Sequence, residues 1–243
     1  KRQTDIDGFV TVSNYMVGRI QHHIDSDLRN KPIAVFTNVL DSEIFQRVNV
    51  EVTGSPVIGW VGKIDDHKDW RAFMQISSII NSKKPDVEFW IIGGQTCPES
   101  RVQEVFDYAE ELSIIHRFRW IDRIENTKMS DLYSIINNRG GLSLVTSHCE
   151  SFGMSVLESL LAGCPVVSTR VGALPEITPE SNFFQLYDLG DFETAAQKVI
   201  SILESSREVS NELQEVRGKL VESHDSSSRS KDYWQMLEEM VKE

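Results

Sequence analysis

The chain has 243 residues, of which 40% are hydrophobic and 26% charged, and its formal net charge is −12. That length and composition suit an ordinary globular protein able to bury a full core without disulfide or metal staples. The acidic balance excludes a general nucleic-acid binder, which would carry a basic face, but not an anionic ligand held by two local cations and a helix N-terminus.

In chain order, Gly8 to Ser13 (GFVTVS) is a short β-branched run that reads as a buried strand. Ser13 and Asn14 are N-cap types, and a helix is expected from there to about Leu28. Pro32 to Phe36 reads as a second short strand, and the polar stretch after it ends at a turn, Gly54-Ser55-Pro56. A regular alternation then begins. Val57 to Val61 is a strand. Asp69 to Asn81 is a helix, with Trp70, Phe73, Met74, Ile76, Ile79 and Ile80 at helical spacing. Val87 to Ile92 is a strand closed by Gly93-Gly94, and Glu99 to Leu112 is a helix. Phe118 to Ile121 is a strand, Ser130 to Ile136 a helix and Gly141 to Val145 a strand. A helix over Phe152 to Ala162 stops at Gly163, with Pro165 just beyond it. Val166 to Ser168 and Phe183 to Leu186 read as strands. Helices over Phe192 to Glu204, around Glu208 to Leu220, and over Lys231 to Val241 finish the chain, with Ser226 to Ser230 (SSSRS) read as a polar loop. Repeated strand–helix units predict an α/β, Rossmann-like, doubly wound parallel sheet with helices on both faces. Ligands of such sheets sit beyond the C-terminal strand ends, at the point where strand order reverses.

The segment richest in chemistry is Ser147 to Glu176 (SHCESFGMSVLESLLAGCPVVSTRVGALPE), which leaves a buried strand and opens a helix. Ser151, Phe152, Gly153 and Met154 lie at the opening, where the first helical N–H groups are free. Gly153 lets a ligand approach the backbone closely. Free N–H groups at a positive helix end make an anion site. Glu150 stands before it, and Glu158 lies about 9 Å along the helix axis. Two carboxylates around an anion site match a phosphate-bridged ligand with hydroxyls at both ends, which is the shape of a nucleotide sugar. Their alternative reading is as solvated helix-end carboxylates.

A second cluster, Gly62-Lys63-Ile64 with Lys68, follows the first strand of the alternation and places two cations where a diphosphate leaving group could be neutralised. Gly93 and Gly94 read as a strand-to-helix turn that also keeps a cleft floor open. Trp120, in Phe118 to Arg123 (FRWIDR), reads as core rather than as a stacking platform. His148 is a residue type suited to acid–base catalysis but has no partner in the sequence, and Cys149 reads as a buried thiol. Asp65-Asp66 is the nearest approach to a metal-binding acidic pair, and it sits within the lysine loop.

The Ser147 to Glu176 pattern resembles the Glu-x7-Glu motif of the "group 1" glycosyltransferases, which are retaining enzymes of GT-B architecture. Glu150 and Glu158 fill the two positions with Ser-Phe-Gly-Met between, and AGCPVV at 162–167 and GALPE at 172–176 match the usual continuation. The resemblance implies that Glu150 faces the donor sugar and Glu158 the ribose. It implies that Gly153 and Met154 offer N–H groups, that Lys63 and Lys68 assist departure of the diphosphate, and that Arg123 lies near the nucleotide. Lys63 stands where the family has Arg, and Asp122 where it often has Gly. The implied donor is a UDP- or GDP-linked sugar, with no metal or other cofactor. The acceptor is an unidentified glycan, lipid-linked or small molecule, and no nucleic-acid partner is implied.

Asn38-Val39-Leu40-Asp41 resembles the family's interdomain linker. Residues 1–45 are therefore expected to be the tail of an N-terminal acceptor domain plus linker, residues 46–225 the nucleotide-sugar domain, and residues 226–243 a helix crossing back, with Tyr233 and Trp234. The chain starts at Lys1, so the N-terminal GT-B domain is expected in a longer protein, and the fragment alone is expected to be inactive. The three cysteines, Cys97, Cys149 and Cys164, are odd in number and show no CxxC spacing. With no signal peptide and no apolar run near about 18 residues, a cytoplasmic location is expected, with membrane association of the longer protein left open. Two rivals stand beside this reading: a non-catalytic interaction module of the same fold, and an NAD(P)-dependent oxidoreductase, which requires a GxGxxG fingerprint that is not in the sequence.

Overall fold

The computed structural model describes residues 6–49, 51–94, 97–205 and 211–242. The first elements are strand β1 (Phe9–Thr11), helix α1 (Asn14–His23) and strand β2 (Ile33–Val35), and the two strands form a separate parallel pair. Next come β3 (Val57–Val61), α2 (Trp70–Lys83), β4 (Glu88–Ile92), α3 (Glu99–Glu111), β5 (Phe118–Ile121), α4 (Met129–Asn138), β6 (Leu142–Val145) and α5 (Met154–Leu161). The chain continues through β7 (Val166–Thr169), α6 (Leu174–Ile177), β8 (Phe184–Tyr187), α7 (Phe192–Glu204), α8 (Asn211–His224) and α9 (Ser226–Lys242).

Strands β3 to β8 form one parallel sheet in the order β5-β4-β3-β6-β7-β8. That is the Rossmann order, with its reversal between β3 and β6. The central strands are apolar on both sides: Val57, Ile58, Gly59 and Trp60 of β3 are all buried. A parallel sheet covered on both faces requires this. One face is closed by α2, α3 and α7, with Phe73, Met74, Ile76, Val105 and Val199 in its core. The other is closed by α4, α5 and α8, with Tyr133, Ile136, Leu157, Leu160 and Leu220. No helix among the described residues is long and apolar enough to cross a membrane.

Two expectations are corrected. Helix α1 stops at His23, and only a 3-10 turn at Ser26–Leu28 follows. No residue of α1 is buried, so no packed stripe extends it past the polar run after Ile24. Ser226 to Ser230 is not a loop but the first turns of α9. The Asp225 carboxylate caps that helix, accepting the Ser227 and Ser228 N–H groups at 3.1 and 3.2 Å. Further bonds from the Ser227 hydroxyl, and from the Ser42 hydroxyl at 2.7 Å, hold the Asp225 carboxyl well below the usual carboxylate range. The four-residue helix α6 inside GALPE was not anticipated. The expected start of α8 near Glu208 lies outside the described residues.

The linker is tied to the α8–α9 junction. The Leu40 N–H donates to His224 O at 3.0 Å, and the Ser226 N–H donates to Leu40 O at 3.0 Å. Helix α9 then runs to the small sheet, where Tyr233 meets Phe36 edge to face at 4.9 Å, while Trp234 is 66% exposed.

Candidate functional site

The loop from β6 into α5 is built by long-range contacts. Glu150 forms an ion pair with Lys68, and its carboxylate accepts the Ser147 hydroxyl at 2.7 Å. The backbone carbonyl of Glu150 takes the Ala173 N–H at 2.9 Å. Gly172 makes that approach possible: its φ is +56°, and a Cβ there would lie 2.1 Å from the Glu150 carbonyl oxygen. Leu174 lies under Gly153, where a Cβ would come within 2.4 Å of Leu174 Cδ2. The GALPE segment is thus the buttress of the Glu150 loop. Gly172→Ala is expected to cost about 2–4 kcal/mol, from left-handed strain plus the clash. Urea unfolding checks this, and a loss below about 0.5 kcal/mol would contradict it.

Helix α5 starts at Met154, two residues later than expected, because Gly153 adopts φ +107° and is the N-cap. Glu158 therefore lies about 6 Å along the axis rather than 9 Å. Phe152 lies ahead of the helix, buried against His224. The N–H groups of Met154 and Ser155 enter no hydrogen bond among the described residues, as the first groups of a helix should not. Ser155 was missed in the sequence because the helix start was set too early.

Glu158 accepts the Tyr133 hydroxyl at 3.3 Å. Burial pushes its carboxyl from 4.5 up to about 7, against the opposing effect of that hydrogen bond. Burial also raises the Tyr133 hydroxyl well above its ordinary range.

In the loop after β3, Asp65 Oδ1 accepts the Lys68 N–H at 2.9 Å, and Thr146 Oγ1 donates to Lys68 O at 2.8 Å. Lys63 is exposed. Asp66 turns away to Arg71 and Arg101, at 3.3 and 3.4 Å, so Asp65 and Asp66 do not converge. Among the described residues, no group of three or more His, Cys, Asp or Glu could hold a metal ion.

Two readings change here. His148 does have a partner: its Nε2 lies 2.8 Å from Asp69 Oδ2. Cys149 is half-buried, with its Sγ 3.1 Å from the Tyr15 hydroxyl. Trp120 packs on Phe106 and donates its indole N–H to Gly93 O at 2.7 Å, a scaffold role. A Cβ at Gly93 would meet Gly62 O at 2.4 Å, so these glycines let the β3 and β4 loops cross.

One cleft of about 660 Å³ opens at the C-terminal strand ends, over the β3/β6 reversal. Its lining includes Gly62, Lys63, Lys68, Gly93, Gly94, Arg123, Glu150, Ser151, Phe152, Gly153, Met154 and Glu158. Every site residue expected from the sequence is brought together there, with Asp122 and Arg123 exposed at one lip. Asn38, His67, Ile124 and Met129 also line it. They reach it only through tertiary folding, and nothing local in the sequence marks them.

The chain is similar to known glycosyltransferases. It is 25% identical over 164 residues to the 2-deoxystreptamine N-acetyl-D-glucosaminyltransferase of Niallia circulans, covering 68% of this chain and 40% of that protein. It is 26% identical over 182 residues to the D-inositol 3-phosphate glycosyltransferase of Corynebacterium glutamicum, covering 70% and 42%. The chain thus spans about two fifths of the length of these relatives. Among solved structures, HepE of Anabaena in complex with UDP and glucose superposes with a TM-score of 0.80 at 16% identity, over 96% of this chain and 63% of that one. A glycosyltransferase from Rickettsia africae superposes with a TM-score of 0.78 at 15% identity, over 97% and 64%. These likenesses establish a Rossmann-like half of a GT-B fold. The family model described as "Glycosyl transferases group 1" matches residues 41–219, and the chain belongs to that family.

Proposed function

We propose that residues 46–225 bind a nucleoside-diphosphate sugar, UDP- or GDP-linked, and serve its retaining transfer to an acceptor hydroxyl. The observation that carries this reading is the helix α5 N-terminus, with two free N–H groups, flanked by Glu150 and Glu158 and faced by Lys68 in one cleft. The solved complex of HepE with UDP and glucose supports it. Glu158 takes the ribose hydroxyls. The Met154 and Ser155 N–H groups, with Lys63 and Lys68, take the diphosphate and stabilise its charge as the bond to the anomeric carbon breaks. Glu150 faces the sugar, and the anomeric carbon gains oxocarbenium character. The acceptor hydroxyl must be held within about 3–3.5 Å of that carbon. We assign that task to a second domain, of which residues 1–45 are the tail and to which residues 226–243 return. On that assignment residues 1–243 alone bind donor without efficient transfer.

Protein cations and a helix end stand in for a divalent ion in this account. EDTA should leave UDP affinity unchanged within about twofold, and a strict requirement for magnesium or manganese would overturn that part. Calorimetric titration with UDP, GDP, ADP and NADH tests the reading as a whole. A nucleoside diphosphate should bind and NADH should not. Absence of any binding by UDP, GDP and ADP up to millimolar concentration would refute it.

A further inference from the structure

The Lys68–Glu150 pair joins two loops that are far apart in sequence, and three residues outside the cleft lining hold those loops together. Thr146 Oγ1 lies 2.8 Å from both Lys68 O and Asp69 O, and it accepts the Trp60 indole N–H at 2.9 Å. Asp69 spends both carboxylate oxygens: Oδ1 accepts the Ala72 N–H at 3.0 Å, capping α2, and Oδ2 meets His148 Nε2 at 2.8 Å. The His148 N–H returns to His67 O at 2.9 Å. Asp69 also has φ +49°, in the left-handed region where a side chain is disfavoured and glycine is not. Glycine would relax that backbone and would cap α2 nearly as well. What glycine cannot supply is the acceptor for His148. Relief of the left-handed strain by glycine would offset the lost His148 bond in stability, and strain kept at such a position points towards function.

We propose that Thr146, Asp69 and His148 are positioning residues: a clamp between the β3–α2 and β6–α5 loops that fixes the Lys68 backbone so that its ammonium faces Glu150 and the diphosphate. This rests on the donor-site reading above. The clamp acts through Lys68 and touches no ligand. Its members are therefore separable from the binding groups by what they do to stability.

The test titrates UDP into the wild-type chain and the variants Lys68→Ala, Asp69→Gly, Asp69→Asn, His148→Ala and His148→Gln. Thermal melting and amide hydrogen exchange over residues 63–68 are measured in parallel. Asparagine tolerates the left-handed backbone, and its one side-chain oxygen can keep the α2 cap while its amide N–H donates to His148 Nε2 in the other imidazole tautomer. Glutamine places an amide N–H near the position of the imidazole Nε2. Asp69→Gly and His148→Ala should weaken UDP about fivefold or more, the scale of one lost hydrogen bond. In both, loop exchange should quicken about tenfold, and Asp69→Gly should melt at the wild-type temperature or higher. The Asn and Gln variants should stay within about twofold of wild type. If Lys68→Ala loses binding while Asp69→Gly and His148→Ala keep wild-type affinity and loop exchange, the clamp is wrong and the donor site stands. If the wild type takes up no UDP, the donor site fails. Exchange alone then decides, and unchanged loop protection in Asp69→Gly overturns the clamp.

Discussion

Glu158→Gln is expected to stabilise the empty protein at pH 8 by about 2–3 kcal/mol while weakening its hold on UDP-glucose. Burial raises the folded-state value of the Glu158 carboxyl from 4.5 to about 7. A raised carboxyl means that the folded state binds the extra proton. Its stabilising contribution is complete below the unfolded value and is lost as pH rises through about 7. At pH 8 the charged, largely buried carboxylate opposes folding, and a neutral amide does not. The same charge serves the ligand, because an ionised carboxylate accepts both ribose hydroxyls. Glu158→Ala should therefore cost about 1.5–3 kcal/mol of UDP-glucose binding at pH 8. Wild-type affinity should decline as pH falls below about 7, and the Gln variant should show no such decline. UDP-glucose is the right probe because its diphosphate is a diester, without the secondary phosphate ionisation near pH 6. Melting and titration from pH 5.5 to 8.5 measure both sides. A Gln variant less stable than wild type at pH 8 would reverse the assignment.

Lys68→Ala should weaken UDP by about 1–3 kcal/mol, the scale of a charge-assisted contact to phosphate. It should also destabilise the empty protein, because it leaves Glu150, whose side chain is 11% exposed, with only the Ser147 hydroxyl among its side-chain partners described here. Glu150→Ala should behave differently. It releases Lys68 to the diphosphate, so UDP affinity should hold or rise while turnover of the longer protein falls. A drop in UDP affinity for Glu150→Ala equal to that for Lys68→Ala would refute this division of roles.

What was legible in the sequence was whatever is written contiguously. Short apolar runs such as Val57 to Val61 announce central parallel strands because both faces are covered. The Ser147 to Glu176 segment announces its chemistry because a strand end, a glycine and a helix start must follow one another to make an anion site. What was lost depends on contacts across the chain. Ser226 to Ser230 reads as a loop until Asp225 is seen capping it, with Ser42 from far upstream. His148 lacks a partner until α2 brings Asp69 to it. The α5 boundary moved because composition shows a glycine but not its φ of +107°. Asn38 and Met129 enter the cleft from the linker and from α4, and no local signal marks either.

The most direct measurement is a crystal structure of residues 1–243 grown with UDP-glucose. The diphosphate oxygens should lie within hydrogen-bond reach of the Met154 and Ser155 N–H groups and of Lys68 Nζ. Both ribose hydroxyls should meet Glu158, and the glucose should face Glu150. A nucleotide bound with its ribose away from Glu158, or bound outside the cleft over the β3/β6 reversal, would contradict the account.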